Sequence, residues 1–265
     1  MRAGLDPAQP DAAQLDPAQP NAAQKVCAVL RALAAHAPAA LRDLSQAAGL
    51  NKVTTFRILN TLAGEGFVRR PAGTQLYDLG PEVAVLATAL AGRVNLRAAA
   101  RPALLRLAAM SGDTAVLSLR AGSEAVCLDR QTGAFPIQSN YLHPGTRRPL
   151  GVGAGALALL AALPAAEGDA VVAVMQDRLA PYPNLRPMAV RQGLADARLR
   201  GYAVVVDQIV ERMGGIAVAV RGPDGEALGA LSIIALSERI TGREAELSGM
   251  LRAAARETEH ALAMG

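Results

Sequence analysis

The sequence predicts an α+β fold in two parts, a small helical unit closed by a hairpin and a larger unit in which strands and helices alternate. Three observations carry this reading. Apolar residues recur at helical spacing from about Gln24 to Glu65. The period shortens to that of strands around residues 67–79 and again from Thr114. Gly, Pro and Asn fall at nearly every change of period. With 265 residues, 51% of them hydrophobic, the chain can bury one core in each part. Aromatics make up only 3% and Trp is absent, so packing must rest on Ala, Leu and Val.

The chain opens on a tandem copy, LDPAQPDAAQ (Leu5 to Gln14) and LDPAQPNAAQ (Leu15 to Gln24). Pro-Ala-Gln composition cannot build a core, so residues 1–23 are expected to form a disordered arm. Val26, Val29, Leu30 and Leu33 then mark a first helix ending near Pro38, and Cys27 is read as a small core residue beside Val26. A short second helix, Leu41 to Ala48, stops at Gly49, and Asn51 caps a third that Gly66 ends after Glu65. Phe67 to Arg70 and Gln75 to Leu79 read as two strands about a Pro71-Ala72-Gly73 turn.

Pro81 starts a helix to about Arg93, taken with residue 94 as a linker, and Asn95 caps another that ends at Ser111-Gly112. Strands follow at Thr114 to Leu119, Ala125 to Arg130 and Ile137 to Leu142, then helices at Ala154 to Leu163, Val171 to Arg178 and Met188 to Arg200. The last strands are Ala203 to Gln208, Ile216 to Val220 and Leu228 to Ile234, with the turn Gly222-Pro223-Asp224-Gly225 joining the final pair. A helix from Arg243 to about Ala263 closes the chain. The expected sheet is mixed or antiparallel.

Short helix, Gly turn and capped second helix, followed by a hairpin, are the grammar of a winged helix-turn-helix over residues 24–80. On the third helix Thr55, Ile58, Leu59 and Leu62 share an inward face. Lys52, Val53, Thr54, Arg57 and Thr61 share the outward one, suited to phosphates and guanine edges, and Arg69 and Arg70 sit where a wing would touch the backbone. Between Lys25 and Gly80 seven basic residues face three acidic ones, a net +4, equal to the charge of the whole chain. The positive field is therefore concentrated in this unit, and double-stranded DNA is the expected partner.

Other classes fit poorly. His36, His143 and His260 lie in unrelated contexts, and no G-x-S-x-G, H-E-x-x-H or Walker A pattern occurs, so no enzyme is expected. Cys127, within an apolar strand, reads as core, and two distant cysteines fit a reducing cytosol. Asp6, Pro7, Pro10 and Asp11 interrupt any signal core, while the small apolar run Gly151 to Leu163 is too short to span a bilayer, so a cytoplasmic protein without membrane contact or cofactor is expected. GVGAGA (Gly151 to Ala156) meets a dinucleotide pattern, but the preceding Pro-Gly-Thr-Arg-Arg-Pro lacks strand apolars. It reads instead as a small-residue entry to a helix N-terminus able to hold a carboxylate, or as glycines that only allow close packing.

These blocks together resemble the IclR family of transcriptional regulators. The likeness rests on GLNKVTTFRILNTLAGEGFVRR (Gly49 to Arg70), GTRRPLGVGAGALALLAAL (Gly145 to Leu163), RGYAVVVDQIV (Arg200 to Val210) and GGIAVAVRGPDGEALGALSI (Gly214 to Ile233). It implies a GAF-like effector-binding and oligomerisation domain over 95–265, a homodimer or tetramer on operator DNA, and a small-molecule effector, often a carboxylate. The pocket carried over from the family would comprise Ile137, Asn140, Arg148, Ala154, Gly155, Val205, Met213, Gly215, Ser232 and Ile234. Val53 and Phe56 depart from common family residues, so no operator sequence transfers, and Gly151 and Leu157 replace polar residues common in the family's effector block. Apolar Val205, Met213 and Ile234 favour an apolar or aromatic acid over a tiny hydroxy- or keto-acid. Arg148 is read either as the partner of that carboxylate or as a solvated neighbour of Arg147. A ligand-independent oligomerisation domain is the alternative.

Overall fold

The computed structural model describes residues 20–91 and 95–264. Asn21, not Gln24, opens the first helix. Its side-chain oxygen accepts the Gln24 N–H at 2.9 Å while Gln24 Oε1 accepts the Asn21 N–H at 2.7 Å, a capping box. Helix α1 therefore spans Ala22–His36, and the arm expected over 1–23 gives up its last residues to it; residues 1–19 lie outside the described residues. Val29 and Leu33 are buried, but Cys27 is exposed, against expectation. One residue past Val26 is a rotation of about 100° around a helix, and that turns Cys27 off the buried stripe.

Strand β1 (Ala39–Ala40), helices α2 (Leu41–Ala47) and α3 (Lys52–Gly64), and strands β2 (Val68–Arg69) and β3 (Leu76–Leu79) complete the first unit. The hairpin pairs antiparallel, and β1, which no pattern announced, adds to its other edge to give the order β1-β3-β2. Leu33, Leu44 and Leu59 are fully buried at the centre, with Val68 and Tyr77 from the hairpin. Each such leucine contributes about 1.5–3 kcal/mol of burial, so the two helices of the helix-turn-helix are fixed against α1 rather than by propensity.

Helix α4 spans Pro81–Ala91, and residues 92–94 lie outside the described residues. By its contacts the chain divides into Met1–Leu86 and Ala87–Gly265, a boundary inside α4. The second unit runs α5 (Leu96–Ser111), β4 (Thr114–Ala121), β5 (Glu124–Gln131), β6 (Arg147–Pro149), α6 (Ala154–Ala161), α7 (Ala165–Ala173), a 3-10 turn (Gln176–Leu179), α8 (Pro187–Arg200), β7 (Ala203–Val206), β8 (Met213–Arg221), β9 (Ala227–Leu236), α9 (Ser237–Gly242) and α10 (Glu244–Met264). Its six strands pair antiparallel throughout, in the order β6-β5-β4-β9-β8-β7.

Two expected elements are corrected. Residues 137–142 form no strand. Pro136 and Pro144 cannot donate to a ladder, and Gln138 pins the segment by donating to the carbonyls of Gly112 and Gly133 and accepting from Thr114 Oγ1 at 2.7 Å. The helix expected at Val171 to Arg178 begins at Ala165 and ends by Ala173. Gly168, which reads as a breaker, is buried there beneath α8: a Cβ at this position would meet Arg198 Nη2 at 2.6 Å.

Strand alternation gives the sheet two different faces. Leu117, Ile216, Val218, Leu231 and Ile233 point to one side and pack on α5 and α10. Ala125, Val205, Ala217 and Ala230 point to the other, under α6 and α8. Buried Asp113 ties the first layer together: both its oxygens meet Arg239, at 2.9 and 3.0 Å, one also meets Arg243 at 3.4 Å, and Arg239 lies over the Phe135 ring. Asp113→Ala is expected to destabilise the chain by about 2–3 kcal/mol, less than a wholly buried pair would lose because both guanidiniums stay partly wet. Chemical denaturation checks this, and a change below about 0.5 kcal/mol would contradict it.

Candidate functional site

Two arrangements concern function, one in each unit. Helix α3 is held at its start by Asn51, whose side-chain oxygen accepts the Thr54 N–H at 2.8 Å, and by Thr55 Oγ1, which donates back to the Asn51 carbonyl. Thr55, Leu59 and Leu62 face the core and Ile58 packs against it. Lys52, Val53, Arg57 and Thr61 are exposed and Thr54 is half-buried, so the outward group shares one surface. Phe56, 42% exposed, belongs to that surface too and was not assigned to it. Its signal was its offset of three residues from Val53. The side chains of Lys52 and Arg57 make no hydrogen bond or ion pair among the described residues, which leaves both cations available.

The two arginines of the hairpin are less free. Arg69 faces Asp78 across the β2–β3 ladder and is paired with it at 2.6 Å, while its Nε donates to the Leu79 carbonyl. Arg70 donates to Gln75 Oε1 and lies over the Tyr77 ring at 5.1 Å. Cross-strand pairing that the turn alone did not reveal thus cancels part of the expected wing charge.

In the second unit a cavity of about 50 Å³ lies between the sheet and the N-terminus of α6. Arg148, Ala154, Gly155, Val205, Met213, Gly215, Ser232 and Ile234 all line it; Ile137 and Asn140 do not, being exposed on the segment that failed to form a strand. That segment turns Tyr141 and Leu142 inward instead, and β4 supplies Ser118. None of these three was foreseen, because an irregular segment has no period and a lone strand serine carries no signal.

The glycines of the entry loop divide the two roles considered for them. Gly151, at φ +92°, sits where a Cβ would strike Val190 and Met175, so it serves turn and packing. Gly153, at φ +87°, caps α6 without a side chain, and its nearest neighbour would be Arg148 Nη1 at 3.1 Å. The leading N–H groups of α6 therefore go uncapped at the cavity. Strand β6 ahead of the loop is a three-residue antiparallel edge, which excludes a dinucleotide βαβ unit. Arg148 is partly buried, lies over the Tyr141 ring at 5.2 Å, and desolvation holds its pKa below the usual guanidinium value. Arg148 is thus half-buried, as Arg147 is, and lines the cavity. Burial also pushes the Cys127 thiol up to about 11, so it is neutral and unreactive near pH 7.

Residues 22–72 match the model of the IclR helix-turn-helix domain, and residues 88–260 match that of the bacterial transcriptional regulator IclR C-terminal domain. The chain belongs to the IclR family. This is a family of transcriptional regulators, not of enzymes. Among curated relatives, the probable transcriptional regulator SauR of Cupriavidus necator is 31% identical over 209 residues, 78% of this chain and 82% of that protein. The glycerol operon regulatory protein of Streptomyces coelicolor is 30% identical over 243 residues, 90% of this chain and 93% of that one. A crystal structure of an IclR-type regulator from a Silicibacter species superposes with TM-score 0.73 at 28% identity, covering 89% of this chain and 96% of that one. An IclR homologue from Microbacterium hydrocarbonoxydans, solved with 4-hydroxybenzoate, shares the fold with TM-score 0.73 at 24% identity, covering 92% and 99%.

Free cations on α3 and a neutralised one on the hairpin should separate in DNA binding. Arg57→Ala is expected to weaken operator binding by roughly 1–3 kcal/mol, whereas Arg69→Ala should cost well under that and barely change the salt slope. Anisotropy titrations across a salt series measure both, and equal losses would contradict the assignment.

Proposed function

We propose that this regulator binds operator DNA as a homodimer through α3 of each copy, and that a small carboxylate-bearing metabolite in the cavity of the second unit alters that binding. The observation that carries the reading is the juxtaposition of Arg148, without an acidic partner among the described residues, with the uncapped start of α6 in a cavity otherwise lined mostly by apolar groups. Such a site is complementary to an anion with an apolar body. The homologue that holds 4-hydroxybenzoate supports the carboxylate. The apolar walls of Val205, Met213 and Ile234 support a partly apolar body, but 50 Å³ is well short of the roughly 150 Å³ that holds a benzene ring. An aromatic acid therefore needs the segment around Tyr141 and Leu142 to move.

A purely oligomerising second domain has no need of a half-buried cation that lines a cavity without a counter-charge, which is why the ligand-independent reading is the weaker one. For the dimer, Val85 and Leu86 of α4 are each more than half exposed, an apolar surface that a second copy would cover. No described helix is long and apolar enough to cross a membrane, and a regulator that acts on DNA would work in the cytoplasm.

Operator DNA selected from a random pool, titrated with and without a panel of organic acids, tests the reading. Ligand is expected to shift the operator Kd by 5- to 150-fold, the usual range of coupling. An acid that stabilises the protein yet leaves its operator affinity unchanged would count against effector control. Val85→Glu should split the dimer in sedimentation, and a monomeric parent would contradict the assembly.

A further inference from the structure

Resting on the reading of the cavity as the effector site, we infer that it selects for a single negative charge: its ligand is a short aliphatic monocarboxylate held by Arg148, with dicarboxylates and neutral isosteres refused. Side chains alternate along β6. Arg147 turns to the surface and is paired with Glu124 at 2.8 Å, so its neighbour Arg148 must turn the other way, opposite Ala125 and into the cavity. There its guanidinium meets no carboxylate. The acidic groups of β5 are engaged elsewhere, Glu124 by Arg147 and Arg178 and buried Asp129 by Arg97 and Arg101. No acidic residue lines the cavity, and burial raises the pKa of both Tyr141 and Cys127 near Arg148, which keeps them neutral at ordinary pH.

The count of charges sets the ligand class. Arg148 is the one cationic residue among those lining the cavity. One carboxylate there completes an ion pair, and the α6 N–H groups and the Ser118 and Ser232 hydroxyls offer further hydrogen bonds. A second carboxylate would be buried among Val205, Met213 and Ile234 with nothing to balance it, which is costly. An amide of the same shape leaves the guanidinium as unpaired as before. The volume of about 50 Å³ sets the length, a few carbon atoms rather than a ring.

The experiment is a thermal melt of the full-length protein with butyrate, butyramide, succinate and benzoate, repeated on Arg148→Met. Butyrate is expected to raise the parent's Tm in proportion to its logarithmic concentration, with half-effect concentrations at least about tenfold higher for the other three. Arg148→Met should melt no lower than the parent without ligand, since it loses no ion pair, and should ignore butyrate. Equal stabilisation by butyramide, succinate or benzoate overturns the inference. So does indifference of the parent to butyrate, or a variant that melts lower or fails to fold, which would make Arg148 structural. An operator affinity that answers to a diacid or an aromatic acid sinks this inference alone, whereas one that answers to no acid sinks effector control with it.

Discussion

The second unit depends on strand alternation within one antiparallel sheet whose two faces carry different chemistry. Leu117, Leu231 and Ile233 face α5 and α10 and close that side with aliphatic packing. Their immediate neighbours Ser118, Ser232 and Ile234 face the other way, where Gly215 adds no side chain beyond its α-carbon, and this is the side on which the cavity opens. A shift of register by one residue would put the serines into the aliphatic layer and the isoleucine of the core into the cavity, so both layers specify the same pairing. The same alternation separates Arg147 from Arg148. One arginine becomes part of a surface ion pair, and the next becomes the charge of a pocket.

The first unit solves a different problem with the same economy. Under the proposed function helix α3 presents polar groups to DNA and must stay rigid enough to place them. Thr55, Leu59 and Leu62 hold its underside, and Asn51 satisfies its first turn, so the outward residues ride on a helix positioned by burial. That surface is mixed. Val53 and Phe56 stand beside Lys52 and Arg57, a mixture that would suit thymine methyl groups as well as phosphates and guanine. The hairpin holds its own arginines through Asp78, Gln75 and Tyr77, and its contribution is shape more than net charge.

How far the sequence could be read follows from which signals are local. Helix caps at Asn51 and Asn95, the stop at Gly112 and the Asp224-Gly225 turn are set by neighbouring residues, and the structure places them where the residues do. Eight of the ten residues carried over from the family resemblance line the cavity. The failures share a cause. Residues 137–142 alternate plausibly, but the prolines beside them and the side chain of Gln138 replace a ladder, and that competition is decided by partners 25 residues away. Gly168 reads as a helix breaker until α8 covers it, and Arg69 reads as a free cation until the ladder sets it opposite Asp78. The partial burial of Arg148 and its lack of a counter-charge are tertiary facts that no spacing encodes.

The proposed function requires α3 to enter the major groove in two copies. Methylation interference on operator DNA selected from a random pool measures this directly. The account predicts interference at guanine N7 atoms, which lie in the major groove, in two half-sites whose centres are about 10–10.5 base pairs apart or a multiple of that. Interference confined to the minor groove, or a single patch with no symmetry mate, would contradict it.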